Sequence, residues 1–208
     1  MKKDIYLIID PAKPLSELLK KLASALQEKL YALQIWDNFV SEEQAKEIIP
    51  AIVSMCWQKD VPVLINNRWN YLSQYDSLAG VHFDKIPPNW EHIRKSLPPN
   101  TLLGITANND LRVVEWAEKE QFSYISFCSM FPSLTANSCE LVQFETILKA
   151  KSISKLPIFL AGGISVDRLP QLKTIQEYFD GLALVSGIMS AENPLKAIQT
   201  YCKEIQTW

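Results

Sequence analysis

The residues best suited to chemistry in this chain are small and uncharged. Pro157-Ile-Phe-Leu-Ala-Gly-Gly163 is an apolar run that ends in two glycines, and Leu182-Ala-Leu-Val-Ser-Gly-Ile188 repeats the pattern one strand–helix length later. Two adjacent strands that end this way turn backbone N–H groups outward, with helix starts behind them. That is a grip for a phosphate that needs no dedicated cation. Gly162, Gly163, Val185, Ser186 and Gly187 are its candidates, with Ser133 and Thr135 of the preceding loop closing over it. Other apolar runs end in Asp10, in Gln34 with Trp36-Asp37-Asn38, in Asn66-Asn67-Arg68, in His82 with Asp84, in Thr106 and in Cys128-Ser129. The set is rich in amides and hydroxyls and poor in charge. It suits a polar heterocycle carrying a phosphate better than hard acid–base or metal chemistry.

To bring these ends together the chain needs parallel strands joined by helices. Strand-like runs recur at 5–10, 31–36, 61–66, 79–83, 102–106, 123–128, 157–161 and 181–186, apolar on both faces as buried parallel strands are. Between them lie segments of helical period, such as Leu15, Leu18, Leu19, Leu22 and Leu26, and Ala45, Ile48, Ile49 and Ile52. Ser41-Glu42-Glu43 reads as a helix cap with acidic first turn, and Asn193-Pro194 as the start of the last helix. Only the fourth unit, Asp84–Pro99, reads as irregular, because of Pro87, Pro88, Pro98 and Pro99. A doubly wound sheet would carry its phosphate loop after the first strand, yet Asp10-Pro-Ala-Lys-Pro14 has no glycine. The pattern predicts an α/β protein, a single (βα)8 barrel over residues 1–208, with the grip after strands 7 and 8.

Composition narrows the partners. A net charge of −2 supplies no basic stripe for nucleic acid. No apolar stretch approaches the ~20 residues of a membrane span, and Ile5 opens a strand without an apolar leader, so a cytoplasmic protein is expected. Cys56, Cys128, Cys139 and Cys202 are scattered, and His82 and His92 lack ligand spacing to them, so no zinc site is expected. His82, between Val81 and Phe83, reads first as a hydrogen-bonded interior histidine, and Arg68 as either a pocket cation or a rim ion pair.

The ordered motifs resemble the thiamine phosphate synthase family and its TenI-type thiazole tautomerase relatives. Leu33-Gln-Ile-Trp-Asp-Asn38 is similar to that family's Q-L-R-D-K, Ile65-Asn-Asn-Arg68 to I-N-D-R, and Gly80-Val-His-Phe83 to G-V-H-L. Gly104-Ile-Thr106 stands for G-x-S, and Phe131-Pro-Ser-Leu-Thr135 for F-P-T-x-T. The resemblance implies a barrel that binds a thiazole phosphate and couples it to a pyrimidine diphosphate, with loss of pyrophosphate and with Mg2+ where that reaction is retained. It implies substrate contacts from Gln34, Asn66 and Thr106, and catalytic candidates among Gln34, Asn66, Arg68, His82 and Ser129. The partner expected is a small heterocyclic phosphate, and a homodimer is left open. The chain departs from the pattern where the diphosphate and metal belong. Trp36 and Asn38 stand for Arg and Lys, Asn67 for Asp, and Ala136 for Lys. A tautomerase would place a His where Ser129 stands. A third expectation is therefore a phosphate-ligand binding protein without catalysis.

Overall fold

In the computed structural model, residues 3–132 and 140–208 are described. Eight parallel strands close into a barrel in sequence order. They are β1 (Asp4–Ile9), β2 (Ala32–Ile35), β3 (Val63–Asn66), β4 (Gly80–Phe83), β5 (Leu102–Thr106), β6 (Tyr124–Cys128), β7 (Ile158–Ala161) and β8 (Gly181–Leu184). Closure is direct, with Asp4 to Leu7 registered against Gly181 to Leu184. The helices outside are α1 (Leu15–Ala25), α2 (Glu42–Trp57), α3 (Trp90–Ser96), α4 (Leu111–Lys119), α5 (Phe144–Ile153), α6 (Leu169–Lys173), α7 (Ser186–Met189) and α8 (Pro194–Gln206).

The predicted stripes face the strands. Leu18 and Leu22 of α1 and Ala45, Ile48, Ile49 and Ile52 of α2 are buried against the outward residues of the barrel. The Ser41 hydroxyl accepts from the Gln44 N–H at 3.2 Å, and the Gln44 side chain accepts from Val40 N–H at 2.9 Å. That reciprocal cap holds α2 across Pro50, an interior proline that removes one helical hydrogen bond. Asn193 caps α8 through the Lys196 N–H at 3.0 Å, with Pro194 in the first turn.

One expectation is corrected. Irregularity is not confined to the fourth unit, which carries the short helix α3; the third unit crosses on a 3-10 turn, Trp69–Ser73, instead of an α-helix. Tyr71 and Leu72 of that turn are both buried.

The barrel interior is filled by a separate cluster that includes Tyr6, Leu64, Tyr124 and Phe159. Small residues opposite make room for the rings. A Cβ on Gly104 would lie 2.1 Å from the Tyr124 ring, and one on Gly181 2.5 Å from Phe159. The aromatic plug fills the lower barrel and leaves the upper end, where the strands finish, open. Among the described residues, no helix is long and apolar enough to cross a membrane.

Candidate functional site

A cavity of about 360 Å³ opens at the C-terminal ends of the strands. Gln34, Asn66, His82, Thr106, Gly162, Gly163, Val185, Ser186 and Gly187 all line it, together with Trp36, Asp84, Asn108 and Cys128. Gln34, Asn66, His82 and Thr106 arrive because each is the last inward residue of its strand.

The grip is built from β7 and β8. Gly162 and Gly163 take positive φ values of 85° and 67°, a left-handed backbone that a side chain resists. They also have no room for one: a Cβ on Gly162 would meet the Ser129 side chain at 2.3 Å, and one on Gly163 the Phe131 carbonyl at 2.4 Å. The N–H groups of Gly163, Ile164, Ser186 and Gly187 donate to no described backbone acceptor. Ser133 and Thr135, the expected closing hydroxyls, lie outside the described residues.

Deeper in the cavity, His82 bridges two hydroxyls. Its Nδ1 is 2.9 Å from Tyr124 Oη and its Nε2 2.9 Å from Thr106 Oγ1. Tyr124 Oη is in turn 2.7 Å from Tyr6 Oη, which donates to Gln34 Oε1 at 3.0 Å. Burial pushes the His82 pKa down to about 4, the nearby Asp84 carboxylate opposing it only in part. The imidazole is neutral at neutral pH.

The mouth beside β2 to β4 is held by carboxylates. Arg68 Nε donates to Asp37 Oδ1 at 2.6 Å, and Arg68 Nη1 donates to Glu42 Oε1 at 2.6 Å and to Tyr71 Oη at 2.7 Å. Arg68 is thus a neutralised rim ion pair and does not line the cavity. Asp84 is the one carboxylate among the lining residues. Its two oxygens accept from Asn66 Nδ2 at 2.9 Å and Asn67 Nδ2 at 2.8 Å, while the Asp84 N–H donates to Asn67 Oδ1 at 3.1 Å. Asn66 Oδ1 accepts from the Asp37 N–H at 3.3 Å. A divalent cation here would find a single carboxylate and amide oxygens already engaged. Among the described residues no group of three or more His, Cys, Asp or Glu is arranged for a metal ion. The residues present do not fit a metal–diphosphate centre.

Two sequence candidates stand elsewhere. Ser129 is buried with its hydroxyl donating to the Phe131 carbonyl at 2.9 Å, so it buttresses the turn after β6 instead of lining the cavity. Asp10 sits on the rim, where its Oδ1 accepts from Asn38 Nδ2 at 2.9 Å and from the Ala12 N–H at 3.0 Å. Sequence reasoning missed Tyr6 and Tyr124. Both occur inside strands that are apolar on either side, and only the barrel's inward alternation marks them.

The model of the family described as thiamine monophosphate synthase (TMP-TENI) matches residues 5–188. A thiamine-phosphate synthase of Vibrio campbellii is 28% identical over 198 residues, covering 95% of each chain. One from Clostridium perfringens is 27% identical over 192 residues, covering 92% of this chain and 90% of its own. Among solved structures, a thiamine phosphate pyrophosphorylase from Pyrococcus furiosus superposes with a TM-score of 0.82 at 23% identity, over 99% of this chain and 96% of its own. That last likeness carries the fold alone.

Proposed function

This chain belongs to the thiamine monophosphate synthase family of thiamine biosynthesis, and from that premise we propose that it binds a thiazole phosphate and performs the coupling to a pyrimidine diphosphate weakly or not at all. The phosphate sits on the N–H groups at the ends of β7 and β8, and the ring lies over Gln34, Asn66, His82 and Thr106. The observation that carries the reading is the contrast between the two sides of one cavity. The β7–β8 side offers backbone donors that no described backbone acceptor takes up. The β2–β4 side offers no cation among the residues that line the cavity, with Arg68 held at the rim by Asp37 and Glu42 and with Trp36, Asn38 and Asn67 neutral.

Departure of a diphosphate develops negative charge that must be met by placed cations, and each such donor is worth roughly 10²–10³ in rate. Replacing several of them removes most of that stabilisation. The tautomerase alternative loses support from the same geometry, because the Ser129 hydroxyl is spent on Phe131 and His82 is engaged through both ring nitrogens. Calorimetric titration with thiazole phosphate, and mass spectrometry of product from thiazole phosphate and pyrimidine diphosphate with and without Mg2+, test the proposal. Binding with little or no product is expected. Family-typical, Mg2+-dependent product formation overturns the catalytic half, and absence of binding overturns the other.

A further inference from the structure

Inside the barrel five polar side chains form one unbranched chain: Gln34, Tyr6, Tyr124, His82 and Thr106, at separations of 3.0, 2.7, 2.9 and 2.9 Å. Each contact needs one proton. Each hydroxyl carries one, and a neutral imidazole carries one N–H. With Tyr6 donating to Gln34 Oε1, its only proton is used, so Tyr124 must donate to Tyr6. Tyr124 then accepts from His82 Nδ1–H, and the bare Nε2 accepts from the Thr106 hydroxyl. Turning the Gln34 amide over reverses all four bonds together: its NH2 donates to Tyr6, and the series ends with Nε2–H donating to Thr106. Any mixed arrangement leaves a contact with no proton or with two, or strands a tyrosine O–H with no acceptor in the series. Gln34, Tyr6, His82 and Tyr124 are all buried, so such a fault leaves a buried polar group short of a partner.

We propose that this chain is a two-state unit that couples the hydrogen-bonding face of Gln34 to that of Thr106 across the cavity, with Tyr6 and Tyr124 as positioning residues. In one polarity Gln34 offers its NH2 to the ligand and Thr106 offers an acceptor oxygen. In the other, Gln34 offers its carbonyl and Thr106 its O–H. In each polarity a free proton at one end answers an open acceptor at the other. A ring that presents one acceptor and one donor at those edges therefore matches the pair, and a ring with two acceptors or two donors matches it less well. The stack of His82 on Tyr124, with ring centroids 5.6 Å apart and planes 21° apart, holds the imidazole so that both nitrogens stay on the line. The selectivity rests on the reading of this cavity as the ligand site, whereas the coupling is a property of the ligand-free protein.

Long-range 1H–15N NMR of the His82 ring in the ligand-free protein at neutral pH tests it. The wild type is expected as the Nδ1–H tautomer, the less favoured form of a free histidine side chain. Tyr6→Phe keeps the ring and removes the link, so the 15N shifts of the two nitrogens should move toward the Nε2–H pattern. Tyr31→Phe, an interior ring outside the chain, should leave them in place. Tyr124→Phe asks the same question from the other side and should also give Nε2–H. A tautomer indifferent to both Tyr6→Phe and Tyr124→Phe overturns the proposal, because the link to Gln34 would then not set it. Failure to bind thiazole phosphate with the tautomer shift intact overturns only the ligand reading.

Discussion

At the scale of single residues, the chemistry is set by which groups are already satisfied. Arg68 has two carboxylates and Asp84 two amides, so neither is open to a diphosphate or a cation. Trp36→Arg, Asn38→Lys and Asn67→Asp in combination should raise pyrimidine diphosphate affinity or turnover by at least tenfold, since each restored donor is worth about 10²–10³ at best. No change in either quantity, measured by calorimetry and by product formation, would put the cause of weak catalysis elsewhere. His82 gives a second test. It titrates near 6.5 in an unfolded chain and near 4 here, so between those values the unfolded state takes up a proton that the folded state refuses. Its contribution to stability is complete above about pH 6.5 and is lost as pH falls toward 4, amounting to roughly 2 kcal/mol by pH 5. Urea unfolding at pH 7 and pH 5 should show this loss, and His82→Gln should flatten it by that amount. An unchanged slope in the variant would mean that His82 charges readily in the fold.

At the scale of elements, the two glycines after β7 serve the turn after β6 as much as any anion. Gly163→Val would place a branched side chain at φ 67° and 2.4 Å from the Phe131 carbonyl. A loss of about 2–4 kcal/mol of stability is expected from strain and clash together, with phosphate-ligand binding lost at the same time. Wild-type-like stability by urea unfolding would show that the turn yields easily. Much of this level was legible in the sequence. The eight apolar runs ended where strands end, because a strand buried on both faces has no polar alternation and stops only at its rim. That is also why Gln34, Asn66, His82 and Thr106 stood out: they are the polar residues at, or one before, the last position of otherwise apolar strands. The same property hid Tyr6 and Tyr124, because a run apolar on both faces does not tell inward from outward. The clamp on Arg68 was equally hidden, since Glu42 belongs to the next helix and Tyr71 to a 3-10 turn with no periodic signature.

At the scale of the molecule, the barrel closes through its two ends, and the last helix reaches the grip. Tyr201 of α8 is buried, and its hydroxyl donates to the Ile164 carbonyl at 3.0 Å, just past the glycines of β7. The same hydroxyl lies 2.5 Å from where a Gly187 Cβ would stand, so Gly187 lets it pass beneath the β8 end. One oxygen from the C-terminal helix thus props both turns of the proposed phosphate site, and it comes from beyond the stretch that matches the family. Tyr201→Phe keeps the ring packed and removes only that support. It should cost about 1 kcal/mol of stability, the ordinary worth of a buried hydrogen bond. Thiazole phosphate affinity should fall several-fold more than that stability loss explains, because a loosened Ile164 turn no longer holds its N–H groups in place. Calorimetry of the variant decides it: unchanged affinity with a reduced unfolding free energy would confine Tyr201 to packing, and the grip would then be held by β7 and β8 alone.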